Sequence, residues 1–332
     1  MKIVRAGVVL LVLCLLAVPV LAHVPSFPVD NTSPERAVEV PDAVKSWSFY
    51  DRLDTGDAKY YRFSLDAGER LQVSTFTPRD GEFTPSIVVM SPSLDGTEGV
   101  PAGVTVPDGM GAVVVEGERP AQPGYEPFAP SANYQTAELS RSVESQTTYL
   151  VAIYEPENRS GPAGVALGYS EEFSPVEYLT VPFDLVQTHL WEGKHPLVVL
   201  GPFMLTVLVG LNLVWERRGR DWLQTPALVL LAAAGLVLVG TGVNTLVQMG
   251  LALWHTGPTA GAVVTAIFVV VPVVCGLWAV RLALRTDGTV AVGTRLGLAV
   301  AGVLSLVTWG GFIVGPVVLL GMALAPARLV EA

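Results

Sequence analysis

From Pro196 to Ala325 the chain is a nearly continuous apolar block, broken only by short charged loops. A soluble domain of that length needs a charged exterior to meet water, so the block is expected to be solvated by lipid. Four spans can be drawn, at 196–215, 226–249, 260–284 and 296–324. Each offers about the 20 apolar residues that a helix rising about 1.5 Å per residue needs to cross about 30 Å of hydrocarbon. The short loops between them predict an antiparallel four-helix transmembrane bundle.

The loops also orient the spans. Arg217, Arg218 and Arg220 follow the first span, and Arg281, Arg285 and Arg295 surround the link between the third and fourth, whereas 251–258 has no Lys or Arg. Positive charge marks the cytoplasmic side, so residues 23–195, the 251–258 loop and the C-terminus are expected outside a plasma membrane. Trp191, Trp215, Trp222, Trp254 and Trp278 fall near the predicted interfaces, where an indole anchors well. Gly293/Gly297 and Gly311/Gly315 have the four-residue spacing that permits close helix contact, and Gly310, Gly311 and Pro316 predict a kinked or tilted fourth span.

The N-terminus agrees with this orientation. Lys2 and Arg5 precede an apolar run from Gly7 to Val18, and Val20-Leu21-Ala22 supplies compact residues at a cleavage site, so 1–22 reads as a signal peptide that leaves His23 as the mature N-terminus. Between His23 and His195 there are 26 acidic and 11 basic residues, a net charge of −15 within a chain of net charge −10. That field disfavours nucleic acid and anionic headgroups as partners of the outer part. The only cysteines are Cys14 in the leader and Cys275 in a span, so this outer part must fold without a disulfide.

From Trp47 the residues alternate as strands do. Lys59 to Leu65 and Arg70 to Phe76 flank Asp66-Ala67-Gly68-Glu69, the pattern of a half-buried hairpin, and further short strands are expected at 86–90, 111–115, 147–154 and 163–169. Short strands between Pro- and Gly-rich turns, without a long amphipathic helix, predict an all-β sandwich of jelly-roll type over 47–170. An extended segment at 23–46 precedes it, an interfacial linker at 171–195 follows, with a turn or helix over Val181 to Glu192, and the chain closes on a short tail at 326–332.

The run from Asp54 to Val73, with Tyr60-Tyr61-Arg62-Phe63 leading to Ala67-Gly68, resembles the opening of bacterial and archaeal pre-peptidase C-terminal domains. Thr148 to Ile153 followed by Gly164 to Tyr169 is similar to their closing hairpin. The likeness covers about Trp47 to Tyr169, with a long insertion from Pro92 to Asn133. It implies a non-catalytic sandwich that supports, docks or binds, and it brings no catalytic residues.

Three functional readings follow. The first is an extracytoplasmic binding or accessory module that works beside the lipid bilayer and other membrane or envelope proteins. In the second, a mature N-terminal His23 chelates copper through its amino group and ring, with His189 or His195 completing the set and His255 a further candidate. The third is a small transporter or sensor built on Thr241, Asn244, Thr245 and Gln248, whose i, i+3, i+4, i+7 spacing makes one polar stripe on the second span; interhelical hydrogen bonding is its simpler role. No Asp, Glu, Lys or His lies near the centre of a span, which weighs against proton coupling and haem ligation. Serine-hydrolase, zinc-protease and phosphate-loop motifs are absent, so no catalytic residue is assigned. Asp51, Asp54 and Asp57 lack the spacing of a calcium loop and read as a solvated turn, and Asn158-Arg159-Ser160 fits a glycosylation acceptor.

Overall fold

The computed structural model describes residues 23–78, 80–219, 223, 225–285 and 292–325. The expected signal peptide at 1–22 and the tail at 326–332 lie outside the described residues, as does Trp222. The described chain divides into two units, one holding 23–193 with His255–Gly257, the other 194–254 with 258–325.

The first unit is β-rich, with two sheets. The strands are β1 (Val24–Ser26), β2 (Val38–Glu39), β3 (Trp47–Leu53), β4 (Ala58–Leu65), β5 (Arg70–Thr77), β6 (Ser86–Ser91), β7 (Gly111–Val115), β8 (Gly124–Glu126), β9 (Ser131–Ser142), β10 (Thr147–Tyr154) and β11 (Gly161–Leu167). Six form one sheet in the order β1-β3-β11-β5-β9-β8, and five form the other in the order β2-β4-β10-β6-β7. The expected alternation is present, but the expected hairpins are not. β4 pairs with β10 while β5 pairs with β11 and β9, so the turn at Asp66–Glu69 carries the chain from one sheet to the other. β10 and β11 are likewise on different sheets. The alternating side chains explain this: Phe49, Tyr61, Phe63, Val73, Val89, Val151 and Val165 from both sheets bury into one shared core. Each strand satisfies its apolar face against the opposite sheet, so successive strands need not be bonded neighbours.

The segment 23–46 is not a separate lead-in. β1 adds to β3 and β2 to β4, both in parallel register. The long insertion is also structured: Val104 and Met110 of its first half pack on Val88, Met90 and Leu150, covering the outer face of the five-stranded sheet.

The linker forms helix α1 (Pro175–Trp191), opened by a capping box between Ser174 and Glu177 with Pro175 in its first turn. Lys45 bonds Glu177 from the sheet side. At the other end the Trp191 indole donates to the Asp51 carbonyl and stands edge-on to Tyr50 and Phe76, with ring centroids 5.0 and 5.9 Å away. Trp191 is therefore a docking residue of the β-unit, not the lipid anchor its position suggested.

The second unit is helical. α2 (Pro196–Arg218), α3 (Pro226–Thr256) and α4 (Gly261–Arg285) are long and apolar enough to cross a membrane. α3 runs well past the predicted end at 249. α3 and α4 approach through glycines, since a Cβ on Gly276 would lie 2.4 Å from the Gly235 carbonyl. In place of one fourth helix there are two short ones, α5 (Val292–Val307) and α6 (Val314–Leu324), separated by a 3-10 turn at Gly310–Phe312. Their lengths, about 24 and 16 Å, are each less than a bilayer core. Trp309, Gly311, Phe312 and Ile313 all take positive φ at this break. The two helices then run back along each other: a Cβ on Gly302 would meet Leu320, and Arg295 Nη1 donates to the Ala325 carbonyl at 2.6 Å. Of the flagged small residues, Gly297 packs on Trp278 and Gly315 on Leu238, while a Cβ on Gly293 would meet nothing within 4 Å among the described residues.

Candidate functional site

Strand alternation leaves a second row of side chains on the outer face of the six-stranded sheet. Ser48 and Tyr50 on β3, Ser74 and Phe76 on β5 and Ala166 on β11 point away from the shared core, because their neighbours Phe49, Val73 and Val165 point into it. The Phe76 ring lies across Gly164 on the adjacent strand, where a Cβ would come within 2.2 Å of it; only glycine leaves that space. β8, from the insertion, folds against β9 and brings Tyr125, Glu126 and Phe128 over the face. Leu185 of α1 closes another side, and His23 stands beside β1. Together with Asn133 and Gln135 of β9 these residues line an open-mouthed cavity of about 410 Å³.

Acid dominates its electrostatics. Glu126 is half-buried, and loss of solvent pushes its carboxyl up to about 7; the Phe128 backbone N–H, donating at 3.1 Å, opposes this, and Glu171 and Glu192 reinforce it. Burial raises the Tyr50 phenol, with the charges of Glu126 and Glu192 adding to the effect. His23 is exposed as a residue, yet its ring is bonded to Ser46, and partial desolvation lowers its pKa. Asn133 Nδ2 donates to Ser131 at 3.0 Å, and its buried Oδ1 has no hydrogen-bond partner among the described residues.

The histidines singled out in the sequence are placed apart in role. His23 lines the cavity. His189 is buried on α1 with Nδ1 3.1 Å from Glu192 Oε2. His195 belongs to the helical unit, where Nδ1 accepts the Leu197 N–H and caps α2, and His255 is exposed near the end of α3. No group of three or more His, Cys, Asp or Glu side chains is arranged to hold a metal among the described residues. Asp51 is buried and accepts from Asn31 and Tyr61 at 2.9 and 3.0 Å with Lys59 3.6 Å away, a structural network distinct from exposed Asp54.

The polar stripe has divided duties. Thr241 Oγ1 donates to the Leu238 carbonyl and accepts the Gly311 N–H, both at 2.9 Å, so it satisfies backbone at the break between α5 and α6. Thr245 bonds back to the Thr241 carbonyl at 3.0 Å. Gln248 Nε2 donates to the Val198 carbonyl of α2 at 2.9 Å. The buried Oδ1 of Asn244 and Oε1 of Gln248 have no hydrogen-bond partner among the described residues.

Sequence reasoning found His23 but not Tyr50, Phe76 or Glu126. Two signals were present: aromatic residues at outward positions of β3 and β5, and Tyr125-Glu126-Pro127-Phe128 within a turn-rich insertion. Comparison with protein-family models and with characterised proteins finds no match to this sequence.

Proposed function

We propose that this is a multi-pass plasma-membrane protein whose exported β-sandwich acts as a binding or accessory module within an assembly of membrane or envelope proteins. The observation that carries the reading is the cavity, which combines aromatic walls, an acid of raised pKa and unused hydrogen-bonding capacity, the features of a ligand site. The sandwich architecture is supported by two sheets sharing one core, and the likeness to pre-peptidase C-terminal domains by the quoted segments falling on β4, β5, β10 and β11. Val176, Leu179, Phe183 and Leu190 of α1 are exposed apolar residues, which suits a domain held close to a bilayer. With Arg217, Arg218, Arg285 and Arg295 inside, residues 23–193 lie outside. The copper reading loses support, because His23 and His189 are each engaged by a different neighbour.

The test is a thermal-shift survey of the detergent-solubilised full chain against small cationic, anionic and neutral compounds. At least one class should raise Tm, and Ala166→Phe, which fills the cavity, should abolish that rise. Gln135→Leu, which keeps the cavity open, should diminish it. A Tm unmoved by every class overturns the reading.

A further inference from the structure

The cavity walls specify a ligand class, an inference that rests on reading the cavity as a binding site. Its aromatic lining comes from Tyr50, Phe76, Tyr125 and Phe128, on separate elements, and π-faces in such number are a recognised receptor for alkylammonium groups. Its acid is Glu126, for which no lysine or arginine serves as partner among the described residues lining the cavity. Its remaining polar atoms favour acceptance: the buried Asn133 Oδ1 has no hydrogen-bond partner among the described residues, and desolvation disfavours a charged His23 imidazole. Glu171 and Glu192 act on Glu126 through their charges, so the surrounding field is negative too. A carboxylate ligand would meet this field repelled, and a purely apolar one would strand the acceptors.

We propose that the cavity binds a small organic cation, with its ammonium group between the aromatic faces and the Glu126 carboxylate. A cation bound there also replaces the solvation that the carboxylate lost on folding. At about 410 Å³ the cavity has room for a whole small molecule.

The probe is choline, titrated calorimetrically into the full-length protein in detergent, beside its neutral isostere 3,3-dimethylbutan-1-ol, butyrate, and a capped lysine amide. Choline should bind saturably with a stoichiometry of one, and Glu126→Gln should weaken it at least about tenfold. Phe76→Leu should weaken it severalfold. Because choline does not titrate, its affinity should fall by about sevenfold or more from pH 8 to pH 5.5 as Glu126 takes up a proton, and this dependence should vanish in Glu126→Gln. Tighter binding of the lysine amide than of choline would identify a protein side chain as the source of the same cation. If the isostere or butyrate binds as well as choline, or Glu126→Gln binds unchanged, the cation assignment is overturned although the cavity remains a site. If no probe binds and the thermal survey is also flat, both readings fall.

Discussion

Glu126 is a carboxyl held far from the conditions its chemistry prefers. Its folded pKa of about 7 lies above the ordinary 4.5, so between those values the folded state retains a proton that the unfolded state has released. The destabilisation is therefore absent below about pH 4.5, grows across that window and is complete above about pH 7. Glu126→Gln, which cannot ionise, should raise Tm by a few degrees at pH 8 and leave it unchanged at pH 4, as read by calorimetry without ligand. An equal shift at both pH values would mean that packing, not charge, sets the effect. Glu177 shows the opposite case: burial works to raise its pKa, but Lys45 and the Ser174 cap outweigh it and hold the carboxyl low. At this scale the sequence was legible only in part. His23 stood out because of its position after a cleavage motif, whereas Glu126 is one of many acids in the outer segment until β8 and α1 remove its water.

At the scale of elements, alternation told which faces of β4 and β5 are buried, but not which strands they bond. A period of two identifies a face and carries no information about the partner strand, so the Asp66–Glu69 turn read as a hairpin although it bridges two sheets. The membrane half shows a similar division. Gly310, Gly311 and Pro316 marked an irregularity, yet composition alone does not distinguish a kink from a full reversal. The reversal depends on tertiary partners: Phe312 stands against Phe203 at 5.3 Å, Trp309 stacks on Phe268 at 6.0 Å, and Thr241 accepts the Gly311 N–H. Left-handed backbone at non-glycine residues persists only when such packing enforces it. Thr241→Val keeps the shape but leaves that N–H unpaired in a low-dielectric setting, which should cost about 1–3 kcal/mol, while Thr241→Ser should restore most of it. Denaturation of the purified variants in mixed micelles measures both, and equal stability of valine and parent would show that the hydroxyl is dispensable at the break.

Across the whole molecule, the division between an acidic β-rich part and an apolar helical part was readable from charge and hydropathy, and the chain passes from one unit to the other at Gly193–Lys194, close to the expected 195. What could not be read was the parity of the membrane crossings, because parity depends on whether 292–325 crosses once or turns back. The Arg295 to Ala325 hydrogen bond places the end of α6 beside the start of α5, so the pair begins and ends on one face of the helical unit. If the arginines mark the cytoplasmic side, Ala325 lies there too, on the side opposite to the one four continuous spans would give it. A single cysteine at Ala325→Cys, in a Cys14→Ser/Cys275→Ser background, should resist a membrane-impermeant thiol reagent in intact spheroplasts and react once they are permeabilised. A cysteine placed at exposed Glu157 should react in both states, which controls for reagent access. Labelling of position 325 in intact spheroplasts would mean that the last segment crosses the bilayer in vivo, and the half-length pair would have to be abandoned together with the role given to Thr241.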